Sequence, residues 1–185
     1  MRNKLSSSCI PIKIQSGLAI INMDENKRII FKIKIIIAIF ITCLLLSGIT
    51  AFPLLHEVNT MCKVMDIDTN ASPDEYDGLY HWISKVRLGL DDTYSKFPFI
   101  AYGTDWLAFG HIVISIFFIG VLINPVKNIW IIYSGIIACI GVIFIAVICG
   151  PIRGIPFYWR LIDSSFGIIG LIPLIWVLKL IKKLQ

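Results

Sequence analysis

Four long apolar runs constrain this chain more than any motif it carries. They cover residues 35–55, 105–123, 129–149 and 157–178, and each is close to the roughly 20 residues a helix needs to cross bilayer hydrocarbon. Inside lipid a backbone must satisfy its own hydrogen bonds, which leaves helices or closed barrels. Runs of this length without period-2 alternation are helical. The rest of the composition agrees, with 57% hydrophobic and 16% charged residues in 185, far from a soluble globular domain. The sequence therefore predicts an all-α membrane protein, a four-transmembrane-helix bundle with an outer loop carrying a short amphipathic helix.

Charge sets the expected orientation. The net charge of +5 is not a nucleic-acid footprint, because the basic residues collect at the edges of the apolar runs instead of on an aromatic-interleaved polar surface. Arg2, Lys4, Lys13, Lys27, Arg28, Lys32 and Lys34 precede the first run. Lys127 lies between the second and third, and Lys179, Lys182 and Lys183 follow the last. By the positive-inside rule these mark the cytoplasmic side. The loop 56–104 instead holds Glu57, Asp66, Asp68, Asp74, Glu75, Asp77, Asp91 and Asp92 against Lys63, Lys85, Arg87 and Lys96, and is expected outside. Four spans return both termini to the cytoplasm. The order predicted is a cytoplasmic segment 1–34, the first span 35–55, the extracytoplasmic loop 56–104, spans 105–123 and 129–149, an outer connection 150–156, a span 157–178 and a basic tail 179–185.

Residues 1–22 mix Ser6, Ser7, Ser8, Pro11 and scattered apolar positions without an amphipathic period, whereas Met23 opens a charged stretch. That pattern fits an upstream start-site artefact or a disordered tail. The first apolar run also imitates a signal peptide with its basic flank, but its core is long, so an anchor is expected.

In the outer loop, Ser72-Pro73-Asp74-Glu75 is a helix-start signature, and Tyr76, Leu79, Tyr80, Ile83, Val86 and Leu90 follow near helical spacing. Gly103-Thr104-Asp105 reads as a turn and helix start, with Asp105 at the positive end of the second span's dipole. Small residues recur at helix-packing intervals, namely Ser47 and Ala51, Ser134 and Ala138, Gly135 and Cys139, and Gly167 and Gly170. Pro173 is expected to kink the last helix. Cys62 and Cys149 lie on the outer side, where a disulfide would be geometrically permissible. The cysteines form neither a zinc ligand set nor a redox pair, and the glycines form no phosphate loop or dinucleotide fingerprint. No cofactor and no metal are expected.

What remains is a set of polar residues in one leaflet. His111 lies roughly 7 Å inside the second span at 1.5 Å per residue, on a stripe with Ala108 and Ser115 that should face protein. Asp105 marks the outer end of that span. Arg153, Arg160 and Asp163 belong to the outer connection or the first turns of the last span, and His56 and Glu57 end the first. Arg160 and Asp163, spaced i, i+3, are expected to pair, which lowers the cost of placing charge beside hydrocarbon. Asp105, His111, Arg153, Arg160 and Asp163 are the candidate ligand-binding residues. His111 is the candidate acid or base, with no catalytic residue assigned.

Two stretches carry a resemblance: Phe97-Pro98-Phe99-Ile100-Ala101-Tyr102-Gly103-Thr104-Asp105-Trp106-Leu107-Ala108-Phe109, and the segment from Gly150 through Arg153, Tyr158, Trp159 and Arg160 to Asp163. They resemble a family of small bacterial four-span integral membrane proteins with no assigned activity. The resemblance covers roughly the last half of the chain and implies a bacterial inner-membrane setting without adding chemistry.

Three functions fit. One is a structural or accessory protein of the inner membrane whose outer loop meets a membrane-protein partner or a second copy in a homo-oligomer. The second is an outer-leaflet pocket protein or enzyme for a lipid or quinone-like ligand, using His111 as acid or base and Arg153 and Arg160 to hold charge. The third is an oligomeric channel or transporter, for which the spans offer few polar residues. Whether the chain is an enzyme is not decided by its residues.

Overall fold

The structure is a computed structural model and describes residues 12–185, with side chains from Asn22 onward. Among these residues it is all helical: α1 (Ile12–Ala51), α2 (Leu54–Val64), α3 (Gly78–Lys96), α4 (Pro98–Ile123), α5 (Ile129–Ile152) and α6 (Phe157–Lys182), with a 3₁₀ turn at Pro73–Glu75. Helices α1, α4, α5 and α6 are long and apolar enough to cross a membrane. Expectations about residues 1–11 lie outside the described residues, while the chain from Ile12 is already helical.

The helix boundaries follow local chemistry. α1 runs 40 residues, about 60 Å at 1.5 Å per residue, and ends just before Pro53, whose ring disfavours helix in the preceding residue. The chain turns there and resumes as α2. This helix falls across the expected end of the first span at residue 55 and the start of the loop 56–104, where no helix is expected before Ser72; Leu54, Val58, Cys62 and Met65, spaced by four, four and three, are the signal for it. The Ser72 to Glu75 signature does form a capping box, with the Ser72 N–H donating to Glu75 Oε1 at 2.9 Å. It starts only a 3₁₀ turn, because Tyr76 and Asp77 are extended and Gly78 takes φ +56°. α3 is the amphipathic helix of the outer loop, burying Ile83 and Ser84.

The second span begins earlier than expected. Pro98 stands at the first helical position of α4, where its missing N–H costs nothing and its fixed φ suits a helix. Gly103-Thr104-Asp105 is therefore not a start but lies inside the helix. α5 likewise extends through Gly150-Pro151-Ile152, and its end is closed by a Schellman motif. Gly154 has φ +69°, its N–H donates to the Pro151 carbonyl at 3.1 Å, and the Ile155 N–H donates to the Gly150 carbonyl at 3.0 Å. Pro156 then prevents continuation, so α6 folds back beside α5. At the other end Asn128 Nδ2 donates to the carbonyls of Gly120 and Asn124 at 2.8 and 2.9 Å, tying off α4 before α5 begins.

The shared core lies at one end. Ile33 and Ile37 of α1, Phe118 and Val121 of α4, Ile131 and Ile132 of α5, and Leu174, Val177, Leu180 and Ile181 of α6 form one buried cluster. All sit toward the termini and the α4–α5 connection. Toward the other end, α1 packs on α4 and α5 packs on α6. Gly48 lets α1 approach α4 closely, since a Cβ there would sit 2.9 Å from the Ala108 carbonyl oxygen and 3.1 Å from His111 Cβ. Gly167 does the same between α6 and α5, 2.5 Å from the Cys139 carbonyl oxygen. Of the expected small-residue pairs, Gly135 with Cys139 and Gly167 with Gly170 pack inside the bundle, whereas Ser134 and Ala138 are exposed.

Over the pairwise end sits a cap made of α2, the 3₁₀ turn and α3. Cys62, Ile67 and Ile83 are its buried centre, joined by Val58, Met65, Tyr76 and Trp159 of α6. Arg87 holds it together, donating from Nε to Asn59 Oδ1 at 3.1 Å and from a terminal nitrogen to the Thr69 carbonyl at 2.7 Å. His81 Nδ1 lies 2.8 Å from the Pro73 carbonyl oxygen, and the Asp68 N–H donates to the Tyr76 hydroxyl at 2.9 Å.

Candidate functional site

The turn from α5 into α6 gathers most of the polar chemistry at the cap end. Tyr158 and Trp159, in the first turn of α6, reach the cap. The Tyr158 hydroxyl donates to the Gly78 carbonyl at 2.9 Å, and the Trp159 ring lies 6.3 Å from that of Trp82, tilted by 56°. This spacing is the offset geometry that aromatic quadrupoles favour. Tyr158 and Trp159 thus fasten α6 to the cap.

Arg160 is the next residue along α6 and lies across Gly150 of α5. A Cβ on Gly150 would overlap the Arg160 stem, 2.8 Å from Cγ and nearer still to Cδ. The glycine is a seat for the arginine. Its guanidinium carbon stands 5.4 Å from the Phe157 ring centroid, within cation–π range. Among the described residues the Arg160 Nε is buried without a hydrogen-bond partner, as is the Trp82 indole nitrogen.

The expected Arg160–Asp163 ion pair does not form. The ion pairs among the described residues are Arg87–Asp91 at 4.0 Å and Lys96–Asp92 at 3.2 Å, both in α3. The physical reason is the Gly150 seat. It draws the Arg160 stem across α5 and turns its head back toward Phe157, whereas Asp163 faces a cleft between α5 and α6. That cleft has a volume of ≈ 220 Å³ and is lined by Val142, Ile145, Ala146, Cys149, Gly150, Arg153, Ile155 and Asp163. Arg153 closes the α5 end of it, one turn beyond Gly150, and is exposed.

No family model, curated protein or solved structure matches this chain.

His111 is not part of the α5/α6 cleft. The stripe Ala108, His111 and Ser115 does face protein, with Ala108 and Ser115 buried, but the protein it faces is α1 at Gly48. Its Nδ1 lies 2.9 Å from the Leu107 carbonyl oxygen one turn back, so the histidine is engaged with its own helix. α4 and α6 share no close backbone approach, which keeps His111 and Asp105 apart from Arg160 and Asp163. Asp105 is half-buried in α4 and makes no side-chain hydrogen bond or ion pair among the described residues. His56 and Glu57 belong to the first turn of α2 and are exposed. Of the candidates, then, Arg153 and Asp163 line one cleft, the Arg160 stem packs on Gly150 beside it with its head turned toward Phe157, and the others lie elsewhere.

Sequence reasoning missed Gly150 as the seat of Arg160, Gly48 as the contact of His111, and Arg87 as the organiser of the cap. Only the last had a visible signal, a basic residue on the apolar side of an amphipathic helix. Cys62 and Cys149 are both free. Cys62 is enclosed by the cap, and burial pushes its thiol above the ordinary range, opposed by the nearby Arg87 guanidinium and by its backbone hydrogen bond. No group of three or more potential metal ligands gathers among the described residues.

Proposed function

We propose that this chain is a structural or accessory protein of the bacterial inner membrane, crossing it four times and presenting the α2–α3 cap on the outside. The observation that carries this reading is how the cap is built. It has its own buried centre in Cys62, Ile67 and Ile83, and it is fastened to the bundle through Tyr158 and Trp159. A loop serving only to join two spans needs neither. Lys85, Leu88 and Asp92 stay exposed on α3 and form the face offered to a partner. The orientation is supported by Lys27, Arg28, Lys32, Lys34, Lys127, Lys179, Lys182 and Lys183, which lie along the bundle end opposite the cap.

Two measurements test the proposal. A membrane-impermeant maleimide applied to intact cells should label Thr69→Cys in the cap and spare Lys183→Cys near the C-terminus; the reverse pattern overturns the orientation. A photo-crosslinking residue at Leu88 should yield one discrete protein adduct in intact cells. Adducts to lipid alone, or none, would remove the accessory role.

A further inference from the structure

We infer that the bundle end opposite the cap binds anionic phospholipid headgroups through a belt of lysine and arginine side chains that surrounds it. The inference rests on reading the four long helices as membrane spans. It depends neither on the accessory role nor on which side of the membrane the cap faces.

The belt is drawn from three separate elements. α1 carries Lys27, Arg28, Lys32 and Lys34, the connection between α4 and α5 carries Lys127, and the end of α6 carries Lys179 and Lys182 with Lys183 just after it. All are exposed, and none takes part in an ion pair among the described residues. Only Asp24 and Glu25 oppose them at this end. Glu25 shares a recess with Lys183 between α1 and α6, and Asp24 lies one turn before Arg28, so the two carboxylates screen one corner of the belt and leave the rest unopposed.

The cations stand at one depth. Gly170 of α6 approaches Phe40 of α1, since a Cβ there would lie 3.8 Å from the Phe40 ring. Counting equally away from that contact along the two antiparallel helices brings Lys182 level with Arg28, and the recess shared by Lys183, Asn26 and Ile29 agrees. From Lys27 to Lys34 is about 10 Å along the axis at 1.5 Å per residue, a depth over which long basic side chains can bend to a common level. They also surround the end. Ile33 and Ile37 are buried in the core, and at about 100° per residue Lys27 and Lys34 fall on one flank of that inward face and Arg28 and Lys32 on the other.

An aromatic collar fixes what that depth is. Trp176 stands three residues before Lys179 and Trp130 three residues after Lys127, and both rings are exposed. Indoles gather at the membrane–water interface, which puts the cations just beyond them at the level of lipid phosphates. A nucleic acid or a folded protein needs its cations on one open face, whereas a belt around the ends of the spans fits a ring of lipids. Lysine acts there as a point charge, so the belt selects by headgroup charge and not by headgroup shape. The cap end is the reverse: from Met65 to Ser84 the chain holds Asp66, Asp68, Asp74, Glu75 and Asp77 and no lysine or arginine. Anionic lipid is therefore expected around one end of the molecule only.

The test reconstitutes the full chain into phosphatidylcholine vesicles containing a trace of spin-labelled lipid, recovers them by flotation, and reads the motionally restricted fraction by electron spin resonance. Labelled phosphatidylglycerol should associate about fivefold more strongly than labelled phosphatidylcholine, the gain that one basic residue gives near a membrane surface. Raising the salt from about 0.1 M to about 1 M shortens the screening length from about 10 Å to about 3 Å and should bring the ratio close to one in the native protein. Lys32→Gln, Lys34→Gln, Lys179→Gln and Lys182→Gln combined, all at exposed positions, should remove most of the preference at low salt. Lys63→Gln with Lys85→Gln in the cap should leave it unchanged. A preference absent from the native protein, resistant to salt, kept by the four-site variant or lost in the cap variant overturns the inference. Protein that fails to float with the vesicles overturns the membrane reading beneath it, a result distinct from flotation without preference.

Discussion

Replacing Gly167 by alanine probes a close backbone approach between α5 and α6. A Cβ at this position would sit 2.5 Å from the Cys139 carbonyl oxygen and 2.9 Å from Ile143 Cγ1, and ordinary contact begins at 3.4 Å. The shortfall to the carbonyl is about 0.9 Å, and backbone oxygen cannot rotate aside. α5 and α6 must therefore separate, and a gap of that size forfeits about a quarter to a half of the dispersion energy in each loosened contact. Overpacking of this kind costs about 1–3 kcal/mol. Gly170 supplies the contrast one turn on, because its Cβ would meet Cys139 Sγ at 2.8 Å, a side-chain atom that can be removed. Gly141, with nothing within 4 Å of its Cβ, calibrates the intrinsic gain of alanine over glycine, up to about 1 kcal/mol in water. Unfolding in mixed micelles titrated with dodecyl sulfate and followed by far-ultraviolet circular dichroism gives the stabilities. Relative to Gly141→Ala, both Gly167→Ala and Gly170→Ala should be destabilised. Adding Cys139→Ala should relieve Gly170→Ala and leave Gly167→Ala as it was, a difference that a double-mutant cycle isolates. If Gly167→Ala unfolds together with Gly141→Ala, or if Cys139→Ala rescues both, the packing described for this helix pair is wrong.

Three further outcomes concern the cap. Tyr158→Phe removes the hydrogen bond to the Gly78 carbonyl and should lower the protection of the start of α3 by about 0.5–1.5 kcal/mol in hydrogen exchange, with the spans unchanged. Arg87→Met leaves the Thr69 carbonyl and Asn59 Oδ1 without their donor. That should weaken the cap by about 1–3 kcal/mol, visible as faster exchange in α2 and residues 65–71. The Cys62 thiol is held protonated by burial through a pH range in which the unfolded chain ionises. Cap stability should therefore fall as pH rises past the ordinary thiol range, and the part of that fall due to Cys62 should vanish in Cys62→Ala when urea midpoints at neutral and alkaline pH are compared.

The long apolar runs made the four helices legible, because length and composition alone decide that a segment can span. The same signal ran past Pro53, hid α2, and concealed the start of α4 behind Gly103-Thr104-Asp105. There an apparent turn motif is tolerated inside a helix whose beginning Pro98 had already set. Which side chains meet was less legible still. Facing can be read along one helix, and Ala108, His111 and Ser115 do share a protein-facing stripe. Which neighbour that stripe meets depends on the azimuth of every helix and on where backbones come close, and here the decisive atoms are absent ones, at Gly48 and Gly150. Arg160 illustrates this. Local spacing offered it Asp163, but the empty side of Gly150 drew its stem away. Arg153, Arg160 and Asp163 stay near one another along the chain because only a short connection separates them, whereas Asp105 and His111 share only their depth with that group.

The cap's attachment to α6 means that the two ends of the molecule answer to different surroundings. Near the termini, four helices are held by apolar side chains, nearly all aliphatic, so their spacing depends on the lipid or detergent around them. At the opposite end, α1 and α4 run on into α2 and α3, and those helices reach the α5/α6 pair through a phenol, a carbonyl and two indoles. That tie is made at the very start of the last apolar run, against the polar cap, and weakens in agents acting from the aqueous phase, such as urea, which solvates peptide and apolar groups alike. Moderate urea should therefore release the splay of the helix pairs while the aliphatic end still holds, and thinner or shorter-chained lipid should do the reverse.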